Sequence, residues 1–259
     1  MDYGLTGKTA LVCASSRGLG RGCALALAQE GARVIINGRD PVRLARTADE
    51  IAAATGAEIV PVAADVGSPE GRDILLSAAG SVDILVNNNG GPPPGDFRTL
   101  DRDALIAGLD ANMLTPIALV QAVIDDMIER RFGRIVNITS ASVKMPLPGL
   151  DLSSGARIGL TGFLAGIARQ VAAANVTINN LLPGSFDTDR IRALDAKLAD
   201  AAHSTPEAKR AEREATIPAR RLGTTGEFGA ACAFLCSAQA GYITGQSILL
   251  DGGAYPGVL

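Results

Sequence analysis

The chain has 259 residues and a net charge of −3; 47% of its residues are hydrophobic and none is tryptophan. This charge balance indicates no basic surface for nucleic acid, and the first residues lack the pattern of a signal peptide. By inspection of the sequence, no apolar run reaches the ~18 residues that a membrane helix needs. We therefore expect a cytoplasmic protein that binds neither nucleic acid nor membrane. Four cysteines without a C-x-x-C pair, and one histidine, favour buried reduced thiols over a metal site.

Short β-branched runs alternate with Ala- and Leu-rich helical patterns along the chain. This alternation predicts right-handed βαβ units in one domain of the α/β class, with a doubly wound, Rossmann-like parallel sheet of about seven strands. The predicted strands are Thr9–Cys13, Arg33–Asn37, Glu58–Ala63, Val82–Asn87, Gly133–Ser140, Thr177–Leu182 and Gln246–Asp251.

The first strand leads into a glycine-rich turn, Cys13-Ala-Ser-Ser-Arg-Gly-Leu-Gly20, ahead of a helix predicted over Gly18–Glu30. The free N–H groups and the dipole of such a helix favour a phosphate. After the second strand comes Arg39, where an acidic residue would select NAD. With Arg17 in the turn, it predicts a 2′-phosphate and therefore NADP(H). The alternative is that Arg39 is a solvated loop residue.

The second half of the chain carries the candidate chemistry. Ser140 ends an apolar strand, and 13 residues later a helix predicted over Leu152–Ala173 carries Ser153 and Arg157 one turn apart. From Ser185 to Arg221 the sequence is charged and helix-like. Because ligands bind beyond the carboxyl ends of the strands, this stretch after the sixth strand is predicted to be a substrate lid. A solvated helical hairpin without a binding role is the alternative.

In order and spacing, these motifs resemble the short-chain dehydrogenase/reductase family. The turn is similar to the family's T-G-x-x-x-G-x-G, with Cys13 in place of the Thr and Ala14 in place of the first Gly, while Gly18 and Gly20 are kept. The segment Asn87–Gly90 is similar to its N-N-A-G, with Asn89 in place of Ala. The resemblance implies that Asn112, in a helix predicted over Asp101–Arg130, holds a proton-relay water. It also implies a cofactor site made of Cys13, Ser15, Ser16, Arg17, Gly18, Leu19, Gly20, Gly38, Arg39, Asp65, Val66, Asn88, Asn89, Gly90, Arg157, Pro183, Gly184, Phe186 and Thr188.

The family's catalytic Ser, Tyr and Lys correspond to Ser140, Ser153 and Arg157, so the phenol and the amine are both changed. A phenol has a pKa near ~10, whereas a serine hydroxyl is a far weaker acid and Arg does not release its proton at working pH. Lys144, in the loop after Ser140, is a possible replacement donor, with an exposed loop lysine as the plainer interpretation. Asp151 is better explained as the N-cap of the following helix.

Three functions remain open. The first is an NADP(H)-dependent oxidoreductase with an altered proton relay, similar to 3-oxoacyl-[acyl-carrier-protein] reductases and acting on a small-molecule or acyl-carrier carbonyl. The second is a catalytically silent NADP(H)-binding sensor or regulator. The third is non-redox chemistry like that of halohydrin dehalogenases, which have Arg at the position of Arg157 but keep the Tyr. The resemblance also implies a homodimer or homotetramer that pairs the helices Asp101–Arg130 and Leu152–Ala173.

Overall fold

The computed structural model describes residues 2–92 and 94–257. Within them, seven parallel strands form one sheet in the order β3-β2-β1-β4-β5-β6-β7, which confirms the predicted fold class. The strands are β1 (Thr9–Val12), β2 (Arg33–Gly38), β3 (Ile59–Ala63), β4 (Ile84–Asn87), β5 (Gly133–Ile138), β6 (Val176–Pro183) and β7 (Ser247–Leu250).

Helices connect the strands and cover both faces of the sheet. They are α1 (Gly18–Gln29), α2 (Pro41–Thr55), α3 (Pro69–Ala79), α4 (Arg102–Leu109), α5 (Thr115–Glu129), α6 (Asp151–Val171), α7 (Asp189–Ala201), α8 (Pro206–Thr216) and α9 (Thr225–Cys236). Short 3₁₀ turns lie at Phe97–Thr99, Ala141–Val143, Ala172–Ala174 and Ala238–Ala240.

The alternation of side chains along the strands builds two cores. Along β1, Ala10 and Val12 face a core formed with α1, α2 and α9, while Leu11 faces a core formed with α3, α5 and α6. Because both faces are covered, the strands are hydrophobic throughout instead of alternating with polar residues. All four cysteines are buried and free, as predicted.

Several predicted boundaries were wrong. β1 ends at Val12 because the chain turns at Ala14, whose φ is +44°. The helix predicted over Asp101–Arg130 is instead α4 and α5 joined by a π-helical turn, Asp110–Leu114. The other strand and helix ends agree with the predictions or differ from them by at most two residues, and Pro41–Thr55 agrees at both ends.

The helix N-termini show which capping predictions hold. Asp40 accepts hydrogen bonds from the N–H groups of Val42 and Arg43, both at 3.1 Å, and therefore caps α2 as predicted. Asp151 is not a cap, because α6 already begins at this residue and Leu150 takes the N-cap position. Its carboxylate instead lies in the first turn, where the helix dipole favours negative charge.

The continuous helical segment Arg102–Glu129 is apolar enough over 18 residues to cross a membrane by length and composition, so the expectation that no segment reaches this threshold was wrong. In this structure, 44% of that window is buried. Val123 and Met127 on α5 contribute to the core beneath the sheet. A core helix of this kind passes the same test of length and composition.

The segment predicted as a lid contains helices α7 and α8, which follow β6. Arg213 on α8 pairs with Asp195 on α7, and Arg210 on α8 pairs with Asp187, just before α7, at 3.1 Å. Because these ion pairs join the two helices, α7 and α8 form a unit beyond the carboxyl end of the sheet.

Helices α1 and α9 cross at a point where only glycine fits. A Cβ on Gly229 would overlap the carbonyl oxygen of Gly22, and a Cβ on Gly22 would overlap the carbonyl oxygen of Thr225. The backbones therefore touch directly, and the spacing of α1 from α9 depends on both glycines.

Gly229→Ala should lower the free energy of unfolding by about 1–3 kcal/mol, because an added methyl group in a packed core displaces its neighbours. The matched control is Gly226→Ala in the same helix, where a Cβ would meet nothing nearer than the Thr224 hydroxyl at 3.8 Å. Urea denaturation of both variants measures the difference. Equal stability of the two variants would contradict the close crossing.

Candidate functional site

The order of strand addition reverses between β1 and β4. From β1 the chain proceeds outward to β2 and β3, and it then returns to form β4 on the other side of β1. Ligands of doubly wound folds bind in the crevice at this switch point. The glycine-rich turn that follows β1 lies there. Its geometry is therefore the first element of the site.

Asn37, at the end of β2, holds the turn in place. Its side-chain oxygen accepts the Ala14 N–H at 3.1 Å, and its amide group donates to the carbonyls of Val62 and Ala64. Ser15 is fully buried; its hydroxyl donates to Val12 O at 2.7 Å and accepts the Asn37 N–H at 2.9 Å. The Ser15 side chain thus stabilises the turn, so that any contact of Ser15 with a cofactor falls to its backbone.

Asn88 fixes the turn from the side of β4. Its amide donates to the Ala14 carbonyl at 3.1 Å, and a Cβ on Gly20 would lie 2.5 Å from that same oxygen. Gly20 is therefore required for α1 to start this close to the strand. Gly18 has φ +59°, which also favours glycine.

The N-terminus of α1 differs from those of most other helices in the chain. Arg17 occupies its N-cap position and forms no side-chain cap hydrogen bond, whereas α2, α3, α7, α8 and α9 each have one. The first N–H groups of α1 are therefore available to an anion, as a cofactor diphosphate requires. This arrangement fits the predicted nucleotide.

Arg17 and Arg39 are both exposed at the edge of this crevice. Neither forms an ion pair with any described residue, whereas the nearby Arg43 lies 3.9 Å from Asp40. Gly38 lies against Ser16, which a Cβ at Gly38 would approach to 3.0 Å. The two free guanidinium groups could thus reach a phosphate that extends from the turn.

The other predicted cofactor residues lie along the same edge, after β3, β4 and β6. Asp65 is exposed and accepts the Gly67 N–H at 2.9 Å, while Val66 is buried. Thr188 is the N-cap of α7 and would lie 3.8 Å from a Cβ on Gly18. Cys13, after β1, is buried, and desolvation raises the pKa of its thiol to about 12. The Phe186 ring packs edge-on against Phe228, with 5.2 Å between the ring centroids. Of the remaining predicted residues, Gly90 is exposed and three are partly buried, namely Leu19, Pro183 and Gly184.

The π-helical turn brings Asn112 into the site. Asn112 is buried, and neither polar atom of its side chain has a hydrogen-bond partner in the described structure. It lines a cavity of about 10 Å³ that Asn87, Asn137 and Arg157 also line. A cavity of this size holds about one water molecule, which would satisfy the amide. Asn89 donates to the carbonyl of Ala111 at 3.2 Å, within the same turn.

The catalytic candidates Ser140, Ser153 and Arg157 lie where β5 ends and α6 begins. The Ser140 hydroxyl oxygen accepts the Ser142 N–H at 3.1 Å. The Ser153 hydroxyl oxygen accepts the Arg157 Nε–H at 3.2 Å, and Arg157 Nη1 donates to the Ile138 carbonyl at 2.9 Å. Arg157 thereby connects α6 to the end of β5, and both serine hydroxyls keep a proton to donate.

Arg157 is 9% exposed, and no acidic residue in the described structure pairs with it. Desolvation, and secondarily the charge of Arg190, lower the pKa of its guanidinium to about 10. It therefore remains protonated at neutral pH. The site contains a buried positive charge that no protein carboxylate neutralises.

Lys144 and Asp151, the two replacement proton donors suggested by the sequence, lie between Ser140 and Ser153 along the chain. Lys144 follows the 3₁₀ turn after Ser140, is partly buried, and forms no side-chain hydrogen bond or ion pair with the described residues. Asp151 is exposed at the first turn of α6. Contacts therefore bring together Ser153 and Arg157, while neither Lys144 nor Asp151 bonds to Ser140 or Ser153.

Sequence reasoning missed two parts of this site. From sequence, Asn37 is predicted only as the last residue of the second strand. The signal for its role is that a buried Asn next to a glycine-rich turn usually hydrogen-bonds to the backbone of that turn. Arg190 and Gly91 were not considered. A Cβ on Gly91 would lie 3.4 Å from Arg190 Nη1 and 3.7 Å from Arg157 Nη2, so both guanidinium groups lie against Gly91.

Comparison with known proteins agrees with this fold. The sequence profile of a family described as enoyl-(acyl carrier protein) reductase matches residues 13–255. A 3-oxoacyl-[acyl-carrier-protein] reductase of Vibrio cholerae is 34% identical over 255 residues, covering 97% of this chain and 98% of that protein. The chain belongs to the short-chain dehydrogenase/reductase family.

Two solved structures extend the comparison. The L-sorbose reductase of Gluconobacter frateurii, complexed with NADPH and L-sorbose, has a TM-score of 0.94 at 26% identity and covers 100% of both chains. A 3-oxoacyl (acyl-carrier-protein) reductase of Agrobacterium tumefaciens with NADP bound has a TM-score of 0.88 at 30% identity, covering 97% of this chain and 95% of that chain. Homologues of this chain are thus oxidoreductases, and its structural neighbours bind a nicotinamide cofactor.

Ala14→Gly should raise the free energy of unfolding by about 1 kcal/mol or less. Ala14 has φ +44°, a conformation that costs L-residues roughly 1–2 kcal/mol, and the greater freedom of glycine in the unfolded chain offsets part of this gain. The matched control is Ala45→Gly at an exposed position inside α2, which should lower stability by about 1 kcal/mol. If both substitutions lower the urea midpoint equally, Ala14 is not strained.

Proposed function

We propose that this protein is an NADP(H)-dependent oxidoreductase that reduces a carbonyl group through an altered proton relay. One observation carries the proposal. The uncapped α1 N-terminus and the buried, protonated Arg157 lie at the carboxyl edge of the same sheet, with the guanidinium bonded to the Ser153 hydroxyl and to the carbonyl of Ile138, two residues before Ser140. Phosphate and a reacting oxyanion would each find positive charge there.

The nucleotide preference follows from the two free arginines. Arg17 and Arg39 have no acidic partner among the described residues, and Gly38 brings the end of β2 close to the turn. Guanidinium groups bind a phosphate dianion through paired, charge-assisted hydrogen bonds. NADP(H) is therefore the proposed cofactor, and the two structures with NADPH or NADP bound support it.

Bound NADPH would supply the hydride, and the protein must stabilise the alkoxide and deliver a proton. Ser140 and Ser153 can each donate an O–H to the substrate oxygen, since both oxygens already accept a hydrogen bond on their other side. Arg157 contributes a fixed positive charge that lowers the energy of the developing oxyanion. The proton itself would come from Lys144 or from water next to Asn112.

A silent NADP(H)-binding protein is the second candidate. The observation that favours it is the limited acidity of the groups at the site, because neither serine nor arginine is an efficient general acid near neutral pH. Dehalogenase-like chemistry is less well supported, since the uncapped N-terminus of α1 fits a nucleotide.

We also propose that the chain forms a homodimer or homotetramer. Helices α4 to α6 expose several large apolar side chains, namely Leu105, Ile106, Leu109, Leu114, Ile128, Ile158 and Phe163. These helices pack against one another, and a concentration of exposed apolar side chains on them favours association. This surface coincides with the helices from which pairing was predicted.

NADPH should bind at least about tenfold more tightly than NADH, because two charge-assisted contacts to the 2′-phosphate are absent with NADH. Arg39→Asp should remove most of this preference, and Arg43→Asp serves as the control at a cation already close to Asp40. Fluorescence titration of each protein with both nucleotides measures the ratio. Equal affinities in the wild type would contradict the proposed nucleotide site.

Combined Ser153→Tyr and Arg157→Lys substitution should increase carbonyl reduction by about 10²–10⁴-fold, the usual contribution of general acid–base catalysis. Lys144→Ala should reduce the wild-type rate by a similar factor if Lys144 is the donor, with NADPH binding unchanged. NADPH consumption over a panel of carbonyl and enoyl substrates is the measurement. If the wild type is inactive and the double variant remains so, the silent-binder hypothesis replaces the enzyme.

A further inference from the structure

Two guanidinium groups from different parts of the chain converge beside the catalytic candidates. Arg157 reaches Gly91 from α6, and Arg190 reaches it from the first turn of α7. A methyl group at Gly91 would lie 3.4 and 3.6 Å from Arg190 Nη1 and Nη2, and 3.7 Å from Arg157 Nη2. Like charges brought this close repel each other unless an anion lies between them.

The acidic residues nearby are already engaged by other arginines. Asp187 pairs with Arg192 and Arg210, and Asp189 accepts a hydrogen bond from Arg192 at 2.7 Å. Neither Arg157 nor Arg190 forms an ion pair with any residue of 2–92 or 94–257. The protein thus supplies no counter-ion for this pair.

The hydrogen bonds of Arg157 define which of its groups remains available. Its Nε is directed to Ser153 and its Nη1 to the Ile138 carbonyl, so Nη2 is the nitrogen that lies toward Gly91. Because Gly91 has no side chain, the space beside its Cα is open and lies within 4 Å of both guanidinium groups. At the N-terminus of α1, where the diphosphate is proposed to bind, Thr188 and not Arg190 lies within 4 Å of a Cβ on Gly18.

We infer that Arg157 and Arg190 form a carboxylate site, and that the natural substrate is an oxo acid whose carboxylate binds between them at Gly91. This inference rests on the proposed function and specifies its substrate class. A free oxo acid would supply the missing negative charge, whereas the thioester of an acyl carrier is neutral next to its carbonyl. The α7–α8 unit would then contribute directly to substrate recognition through Arg190.

The test uses acetoacetate and its neutral methyl ester, titrated by calorimetry into the protein saturated with NADP⁺, where reduction cannot occur. Acetoacetate should bind at least about tenfold more tightly than methyl acetoacetate, as expected for a charge-assisted contact. Arg190→Gln should remove about that factor for acetoacetate and leave the ester unaffected. The matched control, Lys197→Gln, removes an exposed positive charge two turns further along α7 without releasing Asp187 or Asp189, and should leave the ratio unchanged.

The outcomes separate this inference from the proposed function. Failure of NADP⁺ to bind would refute the oxidoreductase itself. Binding of NADP⁺ with no preference for acetoacetate over its ester, or a preference that survives Arg190→Gln, would overturn the carboxylate site alone. Loss of NADP⁺ affinity in Arg190→Gln would assign the two arginines to the cofactor diphosphate and would also overturn it.

Discussion

The geometry of the site depends on hydrogen bonds that hold the turn between β1 and α1 at the switch point of the sheet. Asn37 from β2 and Asn88, the residue after β4, bind the N–H and the carbonyl of Ala14 from opposite sides. These bonds keep a non-glycine residue at a positive φ and direct the N-terminus of α1 toward the crevice. Without them, neither the position of the free N–H groups nor the close approach at Gly20 would be fixed.

A second constraint is the burial of Arg157 without an acidic partner among residues 2–92 and 94–257. Transfer of a charged group out of water is costly, and the hydrogen bonds to Ile138 and Ser153 offset only part of that cost. Because part of this desolvation cost is not offset, an anion that binds next to the Arg157 guanidinium gains more binding free energy than it would beside an exposed arginine. The same charge that stabilises an alkoxide therefore also favours a negatively charged substrate, which connects the altered catalytic residues to substrate choice.

The parallel sheet was predictable because each strand is a short apolar run bounded by turn residues and followed by a helical pattern, and the cap at Asp40 followed from local chemistry. The π-helical turn was not predictable, since Asp110–Leu114 has no sequence feature that distinguishes it from the helices on either side. The approach of Arg190 to Arg157 was also not predictable from the sequence. It depends on how α7 packs after β6, and the two residues are far apart in sequence.

The most direct test of this account is a crystal structure of the protein with NADPH. In that structure, the diphosphate should bind the N–H groups of α1, and the 2′-phosphate should lie between Arg17 and Arg39. Nicotinamide C4 should face the hydroxyls of Ser140 and Ser153, and Arg157 should still donate to the Ile138 carbonyl. A nicotinamide outside this crevice, or an Arg157 side chain turned away from both Ile138 and Ser153, would contradict it.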